Sequence, residues 1–228
     1  LEFHSKMNAL DDDIVTMYGT ALDKLDAGEF EALVVGNEDA KAFSAGANIL
    51  MILMAANAGQ WDQIETLVDT LQKLTMRAKY SGTPVVTAPH GLALGGGCEV
   101  AMQSSLTVAG AELYMGLVEV GVGLIPGAGG CKELAVRYLG DIPHGVAYDP
   151  NPFIQKVFEL IGMAKVSTSA EEARSFGMLR PTDQVVLNSD QRLGTAKAMA
   201  LGLASGGFKP PARRVIPAAG AGCAAAIG

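Results

Sequence analysis

Three consecutive glycines, Gly95-Gly96-Gly97, follow an apolar run that reads as a strand and open a segment, Cys98 to Gln103, that reads as a helix. Nothing else in the chain restricts its fold as much. A strand passing into a helix through glycine either packs the two elements closely or leaves the helix N-terminus open, with unpaired N–H groups and a positive dipole end. Spacing leaves both readings standing. A second segment of small residues, Phe43-Ser44-Ala45-Gly46-Ala47-Asn48, reads as a looser loop with the same choice.

Around these loops the apolar pattern alternates. Leu10, Ile14, Met17, Tyr18, Ala21, Leu22 and Leu25 follow helical spacing, and so do Trp61, Ile64, Leu67, Val68, Leu71 and Leu74. Ala32 to Gly36, Pro84 to Ala88 and Leu106 to Ala109 read as short buried strands. Pro126 to Leu139 leads into a helix for which Gly140 reads as the stop. Helical patterns continue over Phe153 to Ile161, after Ser169 with capping-box spacing to Glu172, and over Asp190 to Ala204. The expected class is therefore α/β, with an α/β core over 1–140, a helical C-terminal region over 141–205, and a Gly/Pro-rich linker or truncated extension over 206–228.

Composition removes several function classes. With 49% hydrophobic and 18% charged residues, the 228-residue chain can bury a sizeable core, and its 28 glycines lack a three-residue period, which excludes collagen. A net charge of −7 with no basic run argues against nucleic-acid binding. Cys98, Cys131 and Cys223 are scattered, and His4, His90 and His144 have no metal-ligand spacing, so neither a disulfide framework nor a metal site is expected. The longest apolar stretch, Ile49 to Ala56, is too short to span a membrane. No signal peptide opens the chain, so a cytoplasmic protein is expected. The missing initiator Met and the strand-like start point to a piece of a longer chain.

Two carboxylates stand in apolar surroundings: Glu99 beside Val100, Ala101 and Met102, and Glu119 as the only charge between Leu117 and Leu124. Desolvation there would raise their proton affinity and suit them to acid/base work, whereas an exposed loop position would leave them ordinary. The glycine runs of 121–126 and 127–132 fit neither a dinucleotide fingerprint nor a P-loop, and G-x-S-x-G is absent. The run Met51-Ile52-Leu53-Met54 reads as core, or as the lining of an adaptable acyl pocket.

Together, Ala42 to Ile49, Gly91 to Glu99, and Gly116 to Glu119 running on to Gly130 resemble the enoyl-CoA hydratase/isomerase (crotonase) family in motif order and in the spacing of the two Glu. The resemblance covers roughly Met7 to Leu203. It implies a spiral of ββα turns with a helical C-terminal region that supports a homo-oligomer, a trimer or hexamer, in the family. It implies that the N–H groups of Ala47 and Gly96 form an oxyanion hole for an acyl-CoA thioester. Glu99 would activate or hold the attacking water and Glu119 would deliver a proton to C2. Ala45, Asn48, Ile49, Gly95, Pro126 and Gly127 would contact the substrate, and no cofactor is required in this segment.

Both Glu being present favours 2-enoyl-CoA hydration. The alternatives are an isomerase using Glu119 alone, and an inactive crotonase-like interaction domain. Asn48 stands where the family usually has Asp, and the stretch from Gly140 to Pro152 is atypical. That stretch, Leu1 to Asn8 and Lys165 to Ser169 resemble the hydratase-like part of bacterial 3-hydroxyacyl-CoA dehydrogenase fusions in β-oxidation. NAD would then belong to a fused dehydrogenase domain.

Overall fold

The computed structural model describes residues 1–140, 142, 147–216 and 220–227, the last two of these by their backbone alone. The expectations attached to Pro143 and His144 lie outside the described residues. Among the described residues, seven short strands form two parallel sheets. One holds β1 (Leu33–Val35), β3 (Val85–Thr87), β5 (Leu106–Gly110) and β7 (Gln184–Val186), in that order. The other holds β2 (Ala42–Ser44), β4 (Gly91–Leu94) and β6 (Leu113–Gly116). The chain thus lays one strand in each sheet, crosses back through helix and repeats, which is the expected ββα spiral. The helices that close the turns are α2 (Ile49–Asn57) with α3 (Trp61–Lys79), then α4 (Gly96–Met102), then α5 (Gly130–Leu139), while α1 (Asp12–Asp26) precedes β1 and packs on α3.

Strand alternation divides the interior. Val85 and Ala109 join the main core with Phe43, Leu113 and Leu134, while their neighbours Val86 and Val108 face the opposite side. On that side α8 (Arg192–Ser205) approaches through Ala196 and Ala200, one turn apart and both buried. Parallel strands covered on both faces need no polar face, which explains why β3 and β5 are apolar or buried throughout.

Local chemistry sets the helix ends. Asp11 caps α1 by accepting the Ile14 N–H at 3.0 Å. Ser169 caps α7 (Ala170–Ser175) by accepting the Glu172 N–H at 3.1 Å, and the Glu172 carboxylate reaches back to the Thr168 N–H, one residue beyond a strict capping box.

Several expectations change. The Phe43 segment begins as strand β2 and is buried, not loose. β4, β6 and β7 arise where no strand was anticipated, Gly91 to Leu94 being part of an expected loop. Gly140 does end α5, but with φ −74 it is right-handed and provides no left-handed stop. Past Gly140, Pro150 and Pro152 start α6 (Asn151–Gly162), and 206–228 contains α9 (Gly220–Ile227), which packs on α6. No helix among the described residues is long and apolar enough to cross a membrane.

Candidate active site

Three successive neighbours of the second sheet, β2, β4 and β6, run parallel, so the segments leaving their carboxyl ends emerge side by side. Those segments carry Ala45 to Ala47, Gly95 to Gly97, and Val118 with Glu119. The carboxyl ends of parallel strands are where open α/β sheets bind ligands. Here they surround a cavity of about 380 Å³, roofed by Ile52 of α2 and by Leu67 and Leu71 of α3, with Leu124 and Ile125 at its side.

Both readings of the glycine run hold, at different residues. A Cβ on Gly97 would stand 2.7 Å from the Ser44 carbonyl oxygen, so this glycine allows helix and strand to press together. Gly95 has φ +52, and a Cβ there would also lie 3.2 Å from Glu119 Oε1. Gly46, at φ +91, packs so closely that a Cβ would meet Gly96 N at 3.1 Å. The two small-residue loops therefore touch backbone to backbone at the cavity.

The Ala47 and Gly96 N–H groups there have no backbone partner among the described residues. Gly96 is the first residue of α4, where an N–H has no partner within the helix. Ala47 forms a parallel bridge with Leu10 in which Leu10 N–H donates to Gly46 O at 2.8 Å and Asn48 N–H to Leu10 O at 3.2 Å. That pattern turns the Ala47 N–H away from Leu10.

Glu99, on the first turn of α4, is 2% exposed, and its Oε1 accepts the Gly130 N–H at 2.7 Å. Burial, reinforced by the Glu119 charge, lifts its pKa to about 7 against the stabilising N–H groups of Gly130 and Ala128. Glu119 begins a short 3-10 turn, Glu119–Val122, and burial raises its pKa too. Its Oε2 is buried without a hydrogen-bond partner among the described residues. A buried carboxylate oxygen without a donor is costly, and points either to a protonated acid or to a place for a ligand or water.

Of the residues singled out from the sequence, Ala45, Ala47, Ile49, Gly95, Gly96, Glu99, Glu119 and Gly127 line the cavity. Asn48 and Pro126 do not: Asn48 precedes α2, and Pro126 is buried behind Gly130. The Met51–Met54 run is not core, since α2 has no buried residue; Ile49 and Ile52 line the cavity while Leu53 and Met54 face outward. The helix from Trp61 also suggests a roomy apolar pocket from sequence, and its Ile64, Leu67, Val68 and Leu71 do line the cavity, whereas the 122–125 loop was not anticipated as lining. The Gly130 N–H was missed as well, although the glycines at 127, 129 and 130 marked a tight backbone approach.

Residues 1–141 match the family described as enoyl-CoA hydratase/isomerase. A probable 3-hydroxyacyl-CoA dehydrogenase of Bacillus subtilis is 42% identical over 220 residues, 96% of this chain but 27% of that protein. A probable enoyl-CoA hydratase of the same organism is 30% identical over 172 residues, 75% of this chain and 60% of its own length. The chain thus spans about a quarter of the first relative and 60% of the second. Among solved structures, an enoyl-CoA hydratase from Polaromonas sp. JS666 superposes with a TM-score of 0.73 at 22% identity, covering 90% of this chain and 72% of that one.

Proposed function

This chain belongs to the enoyl-CoA hydratase/isomerase family, and we propose that within it the chain adds water across the 2,3 double bond of a 2-enoyl-CoA thioester. The observation that carries the reading is the pair of carboxyl groups, Glu99 and Glu119, lining one apolar cavity with raised proton affinity beside unpaired backbone N–H groups.

In this reading the thioester carbonyl sits against the N–H groups of Ala47 and Gly96, which stabilise the enolate oxygen as charge moves onto it. Glu99 acts ionised: it takes a proton from the attacking water as the oxygen bonds to C3. Glu119 acts protonated and gives its proton to C2. Water thus contributes OH to C3, C2 gains H, and the two carboxyl groups exchange protonation states, to be reset by one proton transfer between them. A pKa of about 7 leaves Glu99 substantially ionised near neutral pH, where a base works best. Ala45, Ile49, Gly95 and Gly127 border the thioester, and the wall of α2 and α3 receives the acyl chain. Asn48 and Pro126 support these loops from outside the cavity lining.

Hydration is redox-neutral, so the segment requires no cofactor; we assign any NAD chemistry to a fused dehydrogenase portion, a reading supported by the Bacillus subtilis relative's name, probable 3-hydroxyacyl-CoA dehydrogenase. The context proposed is fatty-acid β-oxidation. The test is loss of conjugated enoyl-thioester absorbance with short and long 2-enoyl-CoA substrates. Glu99→Gln and Glu119→Gln are each expected to lose about 10²- to 10⁴-fold in kcat. A Glu99→Gln variant that still shifts a double bond would establish an isomerase working through Glu119. Wild type that binds no acyl-CoA would establish an interaction domain.

A further inference from the structure

We propose that Gln103 and Thr75 are positioning residues for Glu99, clamping the Gly127–Gly130 loop so that its backbone N–H groups stay on the Glu99 carboxylate. The inference rests on the reading of Glu99 as the base in hydration, but its geometry does not.

Gln103 lies one helical turn beyond Glu99 at the end of α4 and is 1% exposed. Its Nε2 donates to the Ala128 carbonyl at 2.9 Å, and its Oε1 accepts from Lys132 Nζ at 2.7 Å. Thr75, fully buried on α3, donates its hydroxyl to the same Ala128 carbonyl at 3.0 Å. Gln103 Nε2 and Thr75 Oγ1 thus converge on one carbonyl, and the Thr75 hydroxyl also lies 3.1 Å from the Gln72 carbonyl of its own helix. The next residue, Gly129, has φ +112 and rests against the Gln103 amide, where a Cβ would stand 2.9 Å from Nε2. Gln72 adds a third hold, Nε2 to the Gly127 carbonyl at 2.5 Å, on the peptide unit that carries the Ala128 N–H. What the clamp holds is the donor pair, Gly130 N–H at 2.7 Å from Glu99 Oε1 and the Ala128 N–H beside it.

The donors oppose burial. Fixed N–H groups favour the carboxylate form, and a loop free to move away would leave Glu99 protonated to higher pH. The other titratable groups facing Glu99 are Glu119 on the 3-10 turn, Lys132 and Cys131 on α5, and Cys98 beside it on α4. Gln103→Met and Thr75→Val change none of those charges and keep nearly the same volume; Gln103→Met also releases Lys132, so Thr75→Val is the variant that isolates the clamp.

Two readouts on the whole chain test it. The first is the Glu99 carboxyl titration, followed by carbon NMR as the difference from Glu99→Gln. The second is the acidic limb of kcat/KM for crotonyl-CoA hydration. Both are expected to move to higher pH by roughly half a unit in each variant, the equivalent of one lost buried hydrogen bond, with activity recovered above the shifted limb. A merely structural role would lower activity equally at all pH and leave the limb in place. Folded Gln103→Met and Thr75→Val proteins whose Glu99 titration matches wild type would overturn the clamp. A shifted titration in a chain that hydrates nothing would instead keep the clamp and overturn the hydratase reading.

Discussion

Burial holds a proton on Glu99 up to about 7, where the same carboxyl in an unfolded chain releases it near 4.5. Between those values the folded state binds more protons than the unfolded one, so this group makes stability fall as pH rises through that window. The cost is absent below about 4.5 and complete above about 7, where it amounts to about 3 kcal/mol for so deeply buried a group. Glu99→Gln removes the titration while keeping an oxygen that can accept the Gly130 N–H at its 2.7 Å position. The variant is expected to be more stable than wild type at pH 8 by up to that amount, with the difference vanishing towards pH 4.5. Urea unfolding at both pH values measures it. Equal stability at pH 8 would mean that Glu99 carries its charge at no cost. The Val100, Ala101 and Met102 neighbours left a desolvated and an ordinary exposed carboxylate both open at this position, and the burial decides for the first. The sequence could not show that the opposing donors come from residues 128 to 130, because nothing local links α4 to a loop some 30 positions later.

At the scale of elements, α3 and α5 are joined beneath the site by a buried ionic cluster. Glu133 accepts from Lys79 at 2.6 Å and from Arg137 at 3.1 Å, and Arg137 also donates to the carbonyls of Met102, Gly177 and Met178. Arg137, Lys79 and Lys132 together outweigh the burial of Glu133 and depress its pKa to about 2, so its contribution disappears only as pH falls from about 4.5 to about 2. Glu133→Ala strands two buried cations and is expected to cost about 3–5 kcal/mol at neutral pH, read as a lowered denaturant midpoint. A loss under 1 kcal/mol would show that the cations find other partners. Helices such as α1 and α3 were legible because their apolar periodicity runs over many turns. The strands β2, β4, β6 and β7 were not, since they have three or four residues, no alternation and identities fixed by neighbours distant in sequence. Ala42-Phe43-Ser44 offers no local reason to be a strand until β4 pairs with it.

The whole molecule separates the candidate site from the packing that closes the other sheet. Ala47, Gly96 and Glu119 leave three neighbouring strands of one sheet, each contributed by a different turn of the spiral, so the cavity exists only once those turns have stacked. α8 instead covers the outer face of the other sheet, seating Ala196 and Ala200 against Val86 and Val108. Small residues one turn apart let its backbone lie close, and both are at most 1% exposed. Ala200→Leu inserts three carbons where no space remains, which is expected to cost about 1–3 kcal/mol. The strain is applied behind the sheet that does not carry the site. Folded Ala200→Leu protein, assayed well below its lowered thermal midpoint, is therefore expected to keep the hydration rate of wild type per folded molecule. A rate that drops in proportion to stability would show that α8 packing is transmitted between the sheets to the carboxyl ends of β2, β4 and β6, and that the spiral works as one rigid unit instead of as a site borne by one sheet and a support borne by the other.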